Sequence, residues 1–202
     1  MRKQLAIATF AIAIVASVAT ASGAHEITRE KGFYLGFRLS SSNLHTDDET
    51  QDFRVDSNGG GLVLLAGYTF NRVFSLELDI LGAGHQTTNA DIDARFGGFE
   101  LFAHYRWRPG HALRPYAKAG LGVYGVTLDD GSNSVSVSGG GIPLGGGFDY
   151  FFTNHFSLGL DLTHHIIEYN QAEIDLGGNT VGFDIDEDGA QTALGLAFNF
   201  YF

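Results

Sequence analysis

Leu194-Gly195-Leu196-Ala197-Phe198-Asn199-Phe200-Tyr201-Phe202 closes the chain, and its reading decides the fold. In an extended strand Leu194, Leu196, Phe198, Phe200 and Phe202 fall on one face, and Gly195, Ala197, Asn199 and Tyr201 on the other. The apolar face becomes more aromatic toward the end. A soluble protein rarely ends this way, because an unpaired apolar terminal strand invites edge-to-edge aggregation. The stripe therefore needs an apolar solvent.

Composition sets the frame. The chain has 202 residues, no cysteine, 28 glycines, 13% aromatics and a formal charge of −11. That length suits one domain. Without cysteine there is no disulfide framework, thiolate chemistry or zinc ribbon. Twelve Lys and Arg against 23 Asp and Glu leave no basic footprint for nucleic acid. Mean hydropathy is near zero (+0.02). An average cannot separate a soluble domain from a membrane barrel, whose strands alternate apolar and polar residues.

The first segment has the layout of a secretory signal. Met1-Arg2-Lys3-Gln4 is basic, Leu5 to Val18 is apolar apart from Thr9 and Ser17, and Ala19-Thr20-Ala21 and Ser22-Gly23-Ala24 offer small-residue cleavage sites. The apolar run falls short of the ~20 residues of a helical span. We expect residues 1–24 to be a signal peptide, cleaved after Ala21 or Ala24, and residues 25–202 to be one exported domain.

Period two then recurs eight times. Phe33, Leu35, Phe37 and Leu39 share a face, as do Leu62, Leu64, Ala66, Tyr68 and Phe70. Val63 and Leu65 make that second segment apolar on both faces, so its register is the least determined. Phe74, Leu76, Leu78 and Ile80 mark the third strand and Phe99, Leu101, Ala103, Tyr105 and Trp107 the fourth. Ala117, Ala119, Leu121 and Val123 mark the fifth, Ile142 to Phe151 the sixth, and Phe156, Leu158, Leu160 and Leu162 the seventh. Pro143, which has no ladder donor, is expected near the loop end of the sixth strand.

Connections alternate long and short. The long ones are expected at about 43–59, 82–95, 127–140 and 166–189. Outward aromatics crowd the short-turn end: Tyr68, Phe70, Phe74, Tyr105, Trp107, Tyr150, Phe152, Phe156, Phe198, Phe200 and Phe202. Rings gather in this way at a membrane interface. The other face is largely glycine with a few charges, a poor soluble surface and a plausible narrow interior. The expected fold is all-β, an eight-stranded antiparallel up-and-down transmembrane barrel. An even strand count puts both mature termini on one side, expected to be the periplasm. A smooth lipid-facing band needs no oligomer, so a monomer is expected.

The chain from Gly32 to Phe202 resembles the small bacterial outer-membrane β-barrel families grouped around the OmpA transmembrane domain and OmpW. The resemblance rests on Phe74-Ser75-Leu76-Glu77-Leu78, Arg114-Pro115-Tyr116-Ala117-Lys118-Ala119-Gly120-Leu121-Gly122, Ser157-Leu158-Gly159-Leu160-Asp161 and the terminal Phe202. It implies a cell outer membrane location, with outer-membrane lipids and lipopolysaccharide as surroundings. It also implies that Phe202, with Phe200 and Phe198, is read as a sorting signal by the barrel-assembly machinery. No peptidoglycan-binding domain of the OmpA type is expected, so that tethering role does not carry over.

On the inward parity lie Arg38, Glu77, Asp79, Glu100, Arg106, Lys118, Asp149 and Asp161, five acids against three bases. An eight-stranded barrel is just wide enough for its own side chains to fill. Buried carboxylates are costly unless paired, so these acids are expected beside Arg38, Arg106 and Lys118. That network either plugs the lumen or, with glycines leaving room and negative charge in excess, lines a narrow cation path.

Sixteen acids fall in the expected long connections: Asp47, Asp48, Glu49, Asp52, Asp56, Asp91, Asp93, Asp129, Asp130, Glu168, Glu173, Asp175, Asp184, Asp186, Glu187 and Asp188. They are either a solvated rim or a surface for an extracellular cationic partner or for divalent ions bridging lipopolysaccharide phosphates. Asp184, Asp186 and Asp188, followed by Gly189, match the opening of an EF-hand loop, but the twelfth position is Gly195 and no helix is expected there. Gly120-Leu121-Gly122-Val123-Tyr124-Gly125 fits a dinucleotide fingerprint without its helix, and no cofactor is implied.

His164 and His165 must point to opposite faces and cannot share a metal. The His-x-Ser-Asn pattern of the outer-membrane lipid A deacylases is absent, which leaves His165 with Glu168 as the nearest candidate for enzyme chemistry. The expectation is a non-enzymatic barrel with a surface-interaction role. A small OmpW-like channel for ions or small solutes is the alternative, and a lipid-modifying enzyme the remote one.

Overall fold

The computed structural model describes residues 31–45, 55–87, 93–108, 110–129, 133–176 and 179–202. The expected signal peptide lies outside them, as do Asp47, Asp48, Glu49, Asp52, Asp91 and Asp130. Eight strands form a closed ring: β1 (Gly32–His45), β2 (Val55–Thr69), β3 (Phe74–Thr87), β4 (Asp93–Arg106), β5 (Leu113–Asp129), β6 (Asn133–Phe151), β7 (Phe156–Leu176) and β8 (Asn179–Tyr201). Each strand is antiparallel to its neighbours, and β1 pairs with β8 to close the wall, with Arg38 opposite Ala197. The amide of Phe202 donates to the Phe33 carbonyl at 3.0 Å, so the chain end is stitched into the seam. Closure pairs each strand with a neighbour on both sides, the condition for backbone in a bilayer.

The parity read from sequence holds. Leu35, Leu64, Leu78, Leu101, Leu121, Leu144, Leu162 and Leu194 are exposed on the outer wall. Val63 and Leu65 are buried inside, which fixes the second strand's register. Outward rings interlock around the short-turn end: Phe33 with Tyr68 (4.7 Å), Tyr105 with Trp107 (5.1 Å), Tyr150 with Phe152 (5.0 Å) and Phe156 with Phe200 (4.9 Å). Edge-to-face and tilted pairs at these spacings add to simple burial. The turns are locked locally. Asn71 Oδ1 accepts from the amides of Val73 and Phe74 at 2.8 Å each, and Thr153 Oγ1 from those of His155 and Phe156 at 3.1 Å.

Two expectations are corrected. The connection placed at 166–189 is mostly a hairpin, since β7 runs to Leu176 and β8 starts at Asn179; likewise β5 runs to Asp129 and β6 starts at Asn133. Apolar alternation marks a strand only while one face meets lipid. Above that level the backbone ladder continues through acid-rich segments, with a bulge between Tyr169 and Gln171. Pro143 sits well inside β6 instead of at its loop end. Its pairing with His165 on β7 is intact, while the ladder to β5 skips from Ala119↔Leu144 to Gly122↔Gly141, the side where a donor is missing.

Candidate functional site in the barrel lumen

All eight charges assigned to the lumen point inward and are buried. Arg38 on β1 is the hub. Its Nη1 donates to Asp79 Oδ2 at 3.0 Å and its Nη2 to Glu77 Oε1 at 3.2 Å, both on β3, while its Nε stands 3.5 Å from Asp161 Oδ1 on β7. Its aliphatic stem lies against Gly195 on β8, where a Cβ would collide with the Arg38 side chain. Lys118 Nζ reaches Asp161 at 2.9–3.0 Å and sits 4.3 Å from the centre of the Phe102 ring. Nearer the termini Arg106 Nε donates to Asp149 Oδ2 at 3.1 Å, and its Nη1 to the Ser75 hydroxyl.

The acids need more donors than the three expected bases provide, and neutral residues supply them. The Tyr34 hydroxyl donates to Glu77 Oε2 (2.8 Å), the Tyr116 hydroxyl to Asp161 Oδ2 (2.6 Å), Thr163 to Asp161 Oδ1 (2.8 Å) and the Tyr124 hydroxyl to Glu100 Oε1 (2.8 Å). His104 stacks on Tyr116, and its Nε2 is 3.3 Å from Glu77 Oε1 but off the line of a hydrogen bond. His165 Nε2 lies 2.8 Å from Glu100 Oε1, and its Nδ1 is 3.2 Å from the Gln191 carbonyl. Sequence reasoning left out of this network the tyrosines and histidines, which carry no formal charge, and also buried Arg114, which does. The same inward parity carries all of them.

Asp79 and Phe102 are 0% exposed, and Glu77, Lys118 and Asp161 no more than 3%. This layer is buried inside the barrel. A cavity of about 30 Å³ lies on its long-hairpin side, lined by Arg38, Glu100, Asp161, His165 and Gln191 among others. Another of about 20 Å³ lies at the short-turn end beside Arg72, Arg106, Arg114 and Tyr201. Each has room for one or two waters.

The remaining candidates are not gathered into a site. Asp184, Asp186 and Asp188 lie exposed along extended β8, without the tight turn of an EF-hand, and among the described residues no three His, Cys, Asp or Glu side chains converge on a metal position. His165 is buried inward while Glu168 is exposed, so that pair is separated by the wall and His165 is committed to Glu100. His164 points outward and meets Thr192 at 2.9 Å. Glu168, Glu173, Asp175, Asp184, Asp186, Glu187 and Asp188 belong to the β7–β8 hairpin. Phe198, Phe200 and Phe202 are exposed on the outer wall beside the β1–β8 seam.

The chain is 24% identical over 174 residues to the 22 kDa outer membrane protein of Rhizobium leguminosarum bv. viciae, covering 83% of this chain and 78% of that protein. Among solved structures it is similar to Neisserial surface protein A (TM-score 0.62, 15% identity, 86% of this chain and 100% of that one). It is also similar to OprG of Pseudomonas aeruginosa (TM-score 0.56, 18% identity, 88% and 98%) and to Ail, the attachment invasion locus protein of Yersinia pestis (TM-score 0.51, 16% identity, 86% and 100%). At these identities the structures speak for the fold alone. The family model described as the outer membrane protein beta-barrel domain matches residues 8–202, and the chain belongs to that family of outer-membrane β-barrels.

Proposed function

We propose that this chain is a non-enzymatic outer-membrane barrel with a plugged lumen, whose long hairpins form a surface-interaction platform outside the cell. The observation that carries this is the Arg38 network. It ties β1, β3 and β7 across the lumen through a fully buried layer. A barrel closed at its middle offers its hairpins to partners in place of a pore. The β7–β8 hairpin supports that role, with seven acids and the exposed apolar residues Val181 and Phe183. A partner of matching chemistry is cationic, or is anionic and bridged through divalent ions, as lipopolysaccharide phosphates are. Residues 1–24 act as the cleaved signal. The termini and aromatic girdle face the periplasm, and Phe198, Phe200 and Phe202 present the assembly signal.

The experiment compares cells displaying the native chain with cells displaying a variant whose seven hairpin acids are replaced by Asn or Gln. The readout is attachment to a polylysine-coated surface at equal barrel yield. The proposal expects attachment to fall severalfold; unchanged attachment counts against it.

The small cavities on either side of the plug favour a second reading, a narrow channel. There a single layer of side chains would be the gate. Charge reversal at Glu100 or Asp161 would then change ion selectivity.

A further inference from the structure

The two ends of the barrel differ in charge. Apart from the five lumen acids, every acid among the described residues lies on the long-hairpin side, from Asp56, Asp93 and Asp129 to the seven of the β7–β8 hairpin. Among the described residues the short-turn end has none outside the lumen. It carries Lys31 just before β1, Arg72 in the β2–β3 turn and Arg108 in the β4–β5 turn. Lys31 and Arg108 are exposed and Arg72 is half-buried, with His111 and His155 exposed beside them.

These cations are interleaved with the aromatic girdle. Lys31 is two residues from Phe33, Arg72 stands between Phe70 and Phe74, and Arg108 follows Trp107. All four rings are exposed. Rings of this kind settle at the membrane–water boundary. A long basic side chain one or two residues away reaches the headgroup plane while its stem stays against apolar surface. The turns hold the cations at that level. Asn71 Oδ1 closes the β2–β3 turn onto the amides of Val73 and Phe74 at 2.8 Å each, and the Trp107 amide donates to the Pro115 carbonyl at 2.8 Å. Arg108 has a left-handed backbone (φ 55°), uncommon outside glycine, so the sequence places an arginine where the backbone alone would favour glycine.

We infer that the short-turn end is a docking face for anionic phospholipid headgroups, held by Lys31, Arg72 and Arg108. Anionic headgroups attract basic side chains beside the membrane, and zwitterionic ones carry no net charge to do so. A soluble acidic partner would meet the same charge, but cations level with a girdle of rings are set for the leaflet in which those rings sit. The inference rests on the membrane placement of the girdle and is independent of what the hairpins bind.

Trp107, the only tryptophan of the chain, lies on this face and reports its lipid neighbours. The test places the refolded full barrel in phosphatidylcholine vesicles with a small fixed share of phosphatidylglycerol. Bromine, which quenches tryptophan fluorescence, is carried on the acyl chains of one lipid or the other at equal mole fraction. Brominated phosphatidylglycerol is expected to quench as if enriched about threefold around Trp107. The enrichment should vanish at about 1 M NaCl, where exposed charges are screened. It should also vanish in a triple variant, Lys31→Gln with Arg72→Gln and Arg108→Gln, whose fold is confirmed by heat-dependent gel mobility. Equal quenching by the two carriers in the native protein, or an enrichment that survives salt or the triple variant, would overturn the inference. Loss of the enrichment to soluble polyglutamate at constant ionic strength would assign the face to an acidic polypeptide and overturn it as well.

Discussion

Arg38 Nη1 holds Asp79 Oδ2 at 3.0 Å across 41 positions of sequence, although β1 and β3 are not neighbours in the wall. The contact reaches past β2, and because the same guanidinium faces Glu77 on β3 and Asp161 on β7, it links opposite walls of the ring. Three buried acids thus meet at one cation, and Asp161 alone of them also has Lys118. Removing one partner of a buried pair commonly costs about 3–5 kcal/mol, because the other charges stay buried. Arg38→Met is expected to lose that much in urea unfolding of the refolded barrel. A loss under about 1 kcal/mol would show that the acids do not need it.

His165 and His164 are adjacent but stand on opposite faces of β7, one bound to Glu100 and the other exposed beside Thr192. His165→Phe leaves Glu100 with the Tyr124 hydroxyl and without its imidazole partner. It is expected to cost about 1–3 kcal/mol, whereas His164→Ala should stay within about 0.5 kcal/mol. Equal costs measured on the two variants would contradict the assigned parity.

How far the sequence reaches can be judged from these residues. Strand count, ring closure and the inward set from Arg38 to Asp161 follow from period two, which lipid enforces on every spanning strand. The reach of the hairpins does not follow, because acids such as Glu168 and Asp188 interrupt the apolar alternation although they pair through the backbone. The tyrosine and histidine donors sat on the correct parity but carry no formal charge. A count of acids against bases, five to three, therefore missed how the excess is met. Which acid meets which base is a matter of strand stagger, and that is not written in any one strand.

Gly67 packs beneath the Tyr34 ring, and an added Cβ would overlap that ring. Tyr34 in turn donates to Glu77. Gly67→Val should displace the ring, break that bond and cost about 1–3 kcal/mol of overpacking. Gly84, where a Cβ meets nothing, is the control: Gly84→Ala should leave the unfolding midpoint unchanged. Similar midpoints for both variants would argue against close packing at Gly67.

Phe202 closes the seam through its amide to Phe33 and stacks edge-on to Phe200 at 5.0 Å. Deleting it should reduce the outer-membrane yield severalfold while leaving export and signal cleavage intact. Fractionation with immunoblotting reads both quantities. Normal membrane yield from the truncated chain would remove the terminus from its assembly role.

Single-channel recording of the refolded mature protein in a planar bilayer tests the plugged lumen most directly. With folding established by heat-dependent gel mobility, the Arg38 layer should give no steady conductance, and opening should appear only when that layer is disrupted, as in Arg38→Met. Discrete cation-selective openings in the native protein that persist after the hairpins are trimmed would contradict a closed barrel and make Glu100 and Asp161 the lining of a pore.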